Sequence, residues 1–473
     1  MKKLLLIFCF LLLTATGFSQ QYSLYNTGTL FDSFENPSQR TVTPDTSKQY
    51  ASNFLIPNFD GNLFLTGNAQ STLLSRTFNS TYDNSALQIG KGALNRANAN
   101  ISAYELMFKM FGSLKGYTEY GFFLETKSEG RGVFTDESIA LFNGPSAFPN
   151  NIYANVLNDH FYNQIYNNLG FTYREKLTNQ VAVGFKIGFL MGIDYTKLDI
   201  YESHLSFDRA SDGATIALRG KYSYSKGPGT FDKQSFLLTS RSPGLQFSAG
   251  LSYTTDDHIT FQGNLKDVGF IHWYNNSVVN YFDGTVGTFG VSGPNREKHI
   301  YNAVYSLLTS GYQTTSFNSA TNGRAELSAT KSYYINDDNT IKYIPTLIAA
   351  KELLYDGFAG AMVNRFQYKA FNGSLTASYD NLNLFNVGLQ FLFKSGNMEV
   401  FTGSDRLMNT VSLAGSTGKG ATYTNGSYAG ADIYFGFAVK FGPVVEHPLN
   451  ANVIPDGNKG FLGRLWNRVF KAN

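Results

Sequence analysis

The chain has 473 residues, of which 42% are hydrophobic and 15% charged, with 41 Phe, 30 Tyr and a formal net charge of +3 that includes Lys2 and Lys3. A balance this close to neutral excludes the strong one-sign field that nucleic acid or acidic partners require. The single cysteine, Cys9, lies in the N-terminal apolar run, so a chain processed beyond it has no disulfide, thiolate metal site or cysteine nucleophile.

Met1-Lys2-Lys3 leads into an apolar stretch closed by the small residues Gly17 and Ser19. This pattern predicts a secretory signal peptide over residues 1–19, cleaved after Ser19. A lipoprotein signal built on Cys9 is the rival, but that residue sits inside the apolar run and not at its end. Residues 20–48 are polar with isolated aromatics. They are expected to fold into a lumen as a plug or hatch, with a mobile leader as the alternative.

From there to residue 442, one domain of alternating apolar and polar residues is expected. Tyr104, Leu106, Phe108 and Met110 share a face before the turn Ser113-Leu114-Lys115-Gly116, and Tyr120, Phe122 and Leu124 continue after it, as in a hairpin. Residues 181–195 put Val181, Val183, Phe185, Ile187, Phe189, Met191, Ile193 and Tyr195 on one side, and Gly184, Lys186, Gly188 and Asp194 on the other. Lipid outside and water inside would demand that arrangement.

Further tight turns are expected at Leu177-Thr178-Asn179-Gln180, Thr255-Asp256-Asp257, Asn336-Asp337-Asp338-Asn339 and Ser395-Gly396-Asn397. The Asp pairs are read as turn residues, because no spaced calcium-loop pattern accompanies them. Long connectors rich in Ser, Gly, Asn and Tyr separate the short turns over residues 128–163, 202–244 and 275–324. Beyond Tyr343 the alternation of short and long breaks down, and at least one strand is not visible.

The last strand presents Ile433, Phe435, Phe437, Val439 and Phe441 on one face. Its aromatic end resembles the signal that barrel-assembly machinery reads. In the tail, residues 443–473, Phe461, Leu462, Leu465, Trp466, Val469 and Phe470 recur at helical spacing, with Arg464 and Arg468 largely on other faces. That is a short basic amphipathic helix, able to dock on anionic lipid or a periplasmic partner, or to cap the barrel end.

No run of about 18 apolar residues follows the leader, which excludes an ordinary membrane helix. Strands of about 10 residues facing lipid, with aromatic girdles, reconcile this with the aromatic content. The expected fold is therefore all-β, a transmembrane antiparallel β-barrel of about 14 strands, roughly 12 to 16, with a plug before it and an amphipathic helix after it. Polar residues of the clearest strands, Lys186, Asp194, Asn386, Gln390, Lys394 and Lys440, are the lumenal candidates. Barrel interiors must pair their polar groups whether or not anything passes, so a structural role for each is the stronger expectation.

The six histidines, His160, His204, His258, His272, His299 and His447, have no second ligand at metal spacing. Gly415-Ser416-Thr417-Gly418-Lys419-Gly420 departs from a phosphate loop, since glycine follows Lys419. No cofactor, metal or enzymatic activity is expected. A surface hydrolase would need a Ser/His or Asp/His pair within hydrogen-bond reach.

Phe34-Glu35-Asn36-Pro37, Leu141-Phe142-Asn143-Gly144 leading into residues 168–194, Lys266-Asp267-Val268-Gly269-Phe270-Ile271-His272-Trp273, Phe401-Thr402-Gly403-Ser404-Asp405-Arg406-Leu407 and residues 435–442 occur in this order. Together they resemble a family of uncharacterised outer-membrane barrels from Bacteroidota, distantly similar to the long-chain fatty-acid transporter family. That resemblance implies a hatch element at Asn36 and Pro37, where the transporter family has Asn-Pro-Ala and this chain has Ser38. It also implies passive transport of a hydrophobic or amphiphilic small molecule across the outer membrane. The shuttle barrel of the type IX secretion system is a second relative by appearance, and implies instead a scaffold for secretion, gliding or envelope proteins.

Overall fold

The computed structural model describes residues 22–41, 48–112, 117–225, 242–354, 357–380, 382, 384–417, 429–444 and 460–470. The predicted signal peptide lies outside the described residues. A single antiparallel sheet closes on itself as a ring of fourteen staves. In chain order these are β1 (Lys48–Ser52 and Asn58–Thr66), β2 (Leu94–Phe111), β3 (Thr118–Thr135), β4 (His160–Lys176), β5 (Val181–Asp208), β6 (Pro243–Thr254) and β7 (Ile259–Trp273). They continue as β8 (Phe317–Ala320 and Arg324–Lys331), β9 (Ile341–Glu352), β10 (Phe358–Tyr368), β11 (Phe371–Asp380), β12 (Phe385–Lys394), β13 (Met398–Ser404) and β14 (Ala429–Val444). Closure is direct: Lys48 faces Val444 and Phe59 faces Phe435, so β14 pairs with β1. No helix of the described residues is long and apolar enough to cross a membrane.

The predicted alternation builds an apolar outer belt. Phe122, Ile187, Leu245, Leu347, Phe391 and Ile433 all point out and are exposed, which costs nothing where the solvent is lipid. Six helices sit off the ring: α1 (Leu30–Glu35), α2 (Gln70–Asn79), α3 (Asp136–Leu141), α4 (Arg296–Thr309), α5 (Leu407–Thr417) and α6 (Phe461–Phe470). The short turns, the start of β1 and the end of β14 share one rim, so both ends of the ring open there.

Among the single-residue bulges of the described strands, two overturn expected faces. Register jumps from Tyr104 to Leu106 in β2, leaving Glu105 unpaired, so Tyr104 points inward and is fully buried, not lipid-facing with Phe108. Opposite it, β1 breaks at residues 53–57, where Asn53 exchanges bonds with the Met107 amide and carbonyl and its Nδ2 donates to the Tyr104 carbonyl. In β5, Ile165 faces Asp194 but Tyr166 faces Gly192, so Ile193 is the extra residue. Beyond it the alternation inverts. Asp194, expected in the lumen beside Lys186, lies on the other side of the strand, where Asn163 Nδ2 donates to it over 3.2 Å, while Tyr195 turns in against Trp273.

That bulge is also where β5 leaves the ring. It pairs with β6 as far as Met191 and Pro243, then from Thr196 with the strand Gly213–Tyr224, which in turn pairs with Val278–Phe289. With α3 and α4 these strands enclose a second core, including Leu205, Ile216, Leu218, Val291 and Ile300. The segments expected as plain connectors therefore carry a folded outer module. The broken rhythm after Tyr343 also has its cause here, because the links at 353–357 and 381–384 are short although they lie on the long-loop side.

The tail helix α6 caps the opposite rim. Glu175 at the end of β4 accepts the Leu462 and Gly463 amides at 2.9 and 2.8 Å and the Tyr173 hydroxyl at 2.6 Å, a carboxylate on a helix N-terminus. Phe461, Arg464, Leu465 and Arg468 remain exposed and Trp466 is half-buried. Replacing Glu175→Ala removes a cap worth about 1 kcal/mol. Proteolytic trimming of the tail in detergent is expected to quicken roughly fivefold, with the barrel's heat-modifiable gel mobility unchanged; an unaltered trimming rate would show that α6 does not depend on this contact.

Candidate lumenal site

Residues 22–41 run through the lumen and touch staves all round the ring. Thr29 caps α1 by accepting the Asp32 amide, and Glu399 of β13 accepts the Leu30 amide at 2.8 Å. This short helix buries Leu30, Phe31 and Phe34 against Tyr104, Met107, Phe123, Leu392 and Phe401. Phe31 meets Tyr104 edge-on at 5.7 Å and Phe34 meets Phe123 at 5.8 Å, geometry that aromatic quadrupoles favour. Residues 22–41 thus fill this part of the lumen as a plug.

Asn36 and Pro37 leave the helix along the wall. Asn36 Nδ2 donates to Gln262 at 3.1 Å, and its Oδ1 accepts the Ser38 amide and hydroxyl. Gly184 of β5 and Gly250 of β6 face one another in register. A Cβ on Gly184 would overlap the Pro37 carbonyl, and one on Gly250 the Asn36 side chain and Ser38 amide. The backbone can approach this closely only over glycine.

Above the plug, several of the wall's charges pair with one another. Lys127 pairs with Asp267 at 2.5 Å and Glu125 at 3.2 Å, Lys186 with Glu125 at 3.5 Å, Arg324 with Glu326, and Arg131 with Glu352. The plug joins through Glu35, which pairs with Lys266 and accepts the Tyr104 hydroxyl at 2.7 Å. Burial would raise the Glu35 carboxyl, but Lys266, Lys127 and Lys186 outweigh it and hold it well below the usual range. A cavity of about 110 Å³ opens over these groups, with Leu24, Phe31 and Glu35 at its base and Ile101, Lys127 and Asp267 among its walls.

The remaining lumenal candidates meet neighbouring side chains or plug carbonyls. Lys186 donates to the Tyr104 hydroxyl at 2.8 Å, Gln390 accepts from Ser374, and Asn386 lines a small recess with Asp380, Asp405 and Asp432. Lys394 donates to the Thr27 and Gly28 carbonyls at 2.9 and 2.6 Å, and Lys440 to Thr41 at 3.3 Å. Gly28 has φ +59° and no Cβ to block Lys394. Sequence reasoning missed Arg174 and Arg365, which donate to the Ser38 and Asn26 carbonyls, and also missed Lys109. Their position on inward faces was legible from alternation once their strands were recognised.

A plugged fourteen-stave β-barrel is the class these features define. The chain belongs to the family of unknown function DUF5723, whose model matches residues 46–405. No curated protein matches it. Among solved structures it is similar to a FadL homologue of Pseudomonas aeruginosa, with 11% identity, 90% of this chain and 96% of that chain covered, and a TM-score of 0.41. It is also similar to the toluene transporter TodX of P. putida at 7% identity, covering 87% and 94%, TM-score 0.39. The translocator domain of the autotransporter NalP from Neisseria meningitidis aligns at 7% identity over 84% and 90%, TM-score 0.33.

Two outcomes follow for the plug. Gly184→Val should unseat it by crowding Pro37, and overpacking of this size raises exposure of the plug about tenfold or more. The reader is maleimide labelling of a Ser33→Cys variant, since Ser33 is fully buried. Burial also pushes the Asp32 carboxyl from 3.8 up to about 7, against the Gly28 amide and the Arg365 and Lys394 charges. A carboxyl protonated when seated and ionised in water loses seating stability as pH rises from about 4 to 7. Labelling, taken relative to that of the same cysteine in the denaturant-unfolded protein at each pH to remove the thiol's own ionisation, should therefore rise across that window, and Asp32→Asn should flatten the ratio; a flat ratio with Asp32 present would reject this account.

Proposed function

We propose that the protein is an outer-membrane channel for amphiphilic small molecules, closed in this state by its own N-terminal segment. The observation that carries the reading is the cavity whose base is the plug and whose lining combines the wall's charge pairs with the plug's Leu24 and Phe31. A solute with a polar head and an apolar body fits such a lining better than a pure hydrocarbon, whose burial there would strand the polar groups. The plug is held by hydrogen bonds, the Glu35–Lys266 ion pair and packing, so it can leave without covalent change. The toluene transporter and FadL homologue among the similar structures agree with a channel, though the substrate class rests on the cavity.

The test is uptake of a fluorescent alkyl zwitterion into vesicles carrying the purified protein. Uptake is expected for the intact chain, and faster uptake for Gly184→Val. Vesicles that stay impermeable with both proteins would refute transport.

A second reading, a non-transporting scaffold for secretion or envelope proteins, draws on the outer module with its own core, including Leu205 and Ile300. Under that reading, a defined protein co-purifies from gently solubilised envelopes and is lost when residues 202–224 are deleted. Recovery of assembly factors alone would speak against it.

A further inference from the structure

Beside the plug, the wall's cations outnumber its carboxylates. At the short-turn end of the lumen, five cations from five different staves reach plug carbonyls: Lys109 to Ser33, Arg174 to Ser38, Arg365 to Asn26, Lys394 to Thr27 and Gly28, and Lys440 to Thr41. Among the described residues, the wall offers two carboxylates at that level. Glu119 lies 3.4 Å from Lys109 and 3.3 Å from Arg174, and Glu399 lies 2.6 Å from Lys440. Lys394 and Arg365 donate hydrogen bonds only to plug carbonyls among the described residues, with the plug's Asp32 carboxyl beside both. Arg365 is 6% exposed, and its Nε is buried without a hydrogen-bond partner there.

We propose that this ring is an anion-binding constriction, and that the plug fills it by presenting carbonyl oxygens in place of a small anion such as phosphate, sulfate or a carboxylate. Carbonyl dipoles satisfy the donors but carry no net charge, and the one plug carboxyl set against Arg365 and Lys394, Asp32, leaves the five cations in excess. With the plug away, Lys394 and Arg365 lose every partner described above, and an anion is the species that both neutralises and hydrogen-bonds them. Because higher in the lumen Lys127, Lys266, Arg324 and Arg131 keep wall carboxylates of their own, the unmatched ring sets the selectivity of an opened pore.

This inference extends the channel reading but is tested apart from it, on proteins whose plug has been disabled and with potassium chloride as the only solute. Reversal potentials across planar bilayers are measured for the full chain carrying Gly184→Val with Gly250→Val, and for a chain lacking residues 22–41 whose folding is checked by heat-modifiable mobility. Chloride is expected to permeate about threefold or more over potassium, and Lys394→Gln with Arg365→Gln to bring the ratio toward one. On the full chain, inorganic phosphate should raise labelling of Ser33→Cys above that in chloride of equal ionic strength, and the double glutamine variant should abolish the difference. Equal or cation-favouring permeation, no conductance from either opened protein, or labelling indifferent to phosphate would each overturn the proposal. Failure of vesicle uptake by the intact chain would bear only on the transport reading.

Discussion

A strand surrounded by hydrocarbon must place every backbone N–H and C=O on a neighbouring strand, and the pairing of β14 with β1 is what lets fourteen strands meet that demand without an edge. Closure fixes everything else. It divides each stave into a lipid face and an enclosed face, and it creates an interior in which polar side chains must find partners among themselves or in whatever occupies the lumen. Lys127, Asp267, Glu125 and Lys186 find them on the wall. Lys394 and Arg365 find them on the N-terminal segment. The plug is thus part of the solution to burying charge, as much as it is an obstruction.

Much of this was legible in the chain. Alternation over residues 181–189 and 433–441 marks lipid-facing staves because a two-residue period with large apolar side chains on one side has few other uses. Lys186, Gln390, Lys394 and Lys440 emerged as lumenal from that period alone. The bulges were not legible. One extra residue at Glu105 or Ile193 inverts every later side chain, yet neither residue type announces it, because a bulge is set by the partner strand and by where the stave must bend. Asp194 was misplaced for that reason. The facing of Gly184 and Gly250, and the meeting of Pro37 with both, depend on pairings between distant segments that no single-sequence pattern encodes.

The outer module follows from the same geometry. Once β5 passes the membrane it no longer needs its ring neighbours, and the bulge at Ile193 turns it toward the strand Gly213–Tyr224. A segment rich in Ser, Gly and Tyr looks like a loop when read for membrane staves, but its own alternation, including Ile216, Leu218 and Tyr222 inward, builds a small soluble core. Strand length is what distinguishes the two regimes: β5 has 28 residues, far more than the 9 to 11 or so that cross a bilayer.

The broken first stave and the last stave share the rim at which the plug enters, and Thr41 of the plug rests on Lys440 of β14. This N-terminal segment therefore has no complete receptacle until the final strand is in place. Its other contacts, on β2, β4, β10 and β12, are likewise scattered from one end of the chain to the other. Insertion of the plug is consequently a terminal event in biogenesis, and its seating reports that the ring behind it has closed.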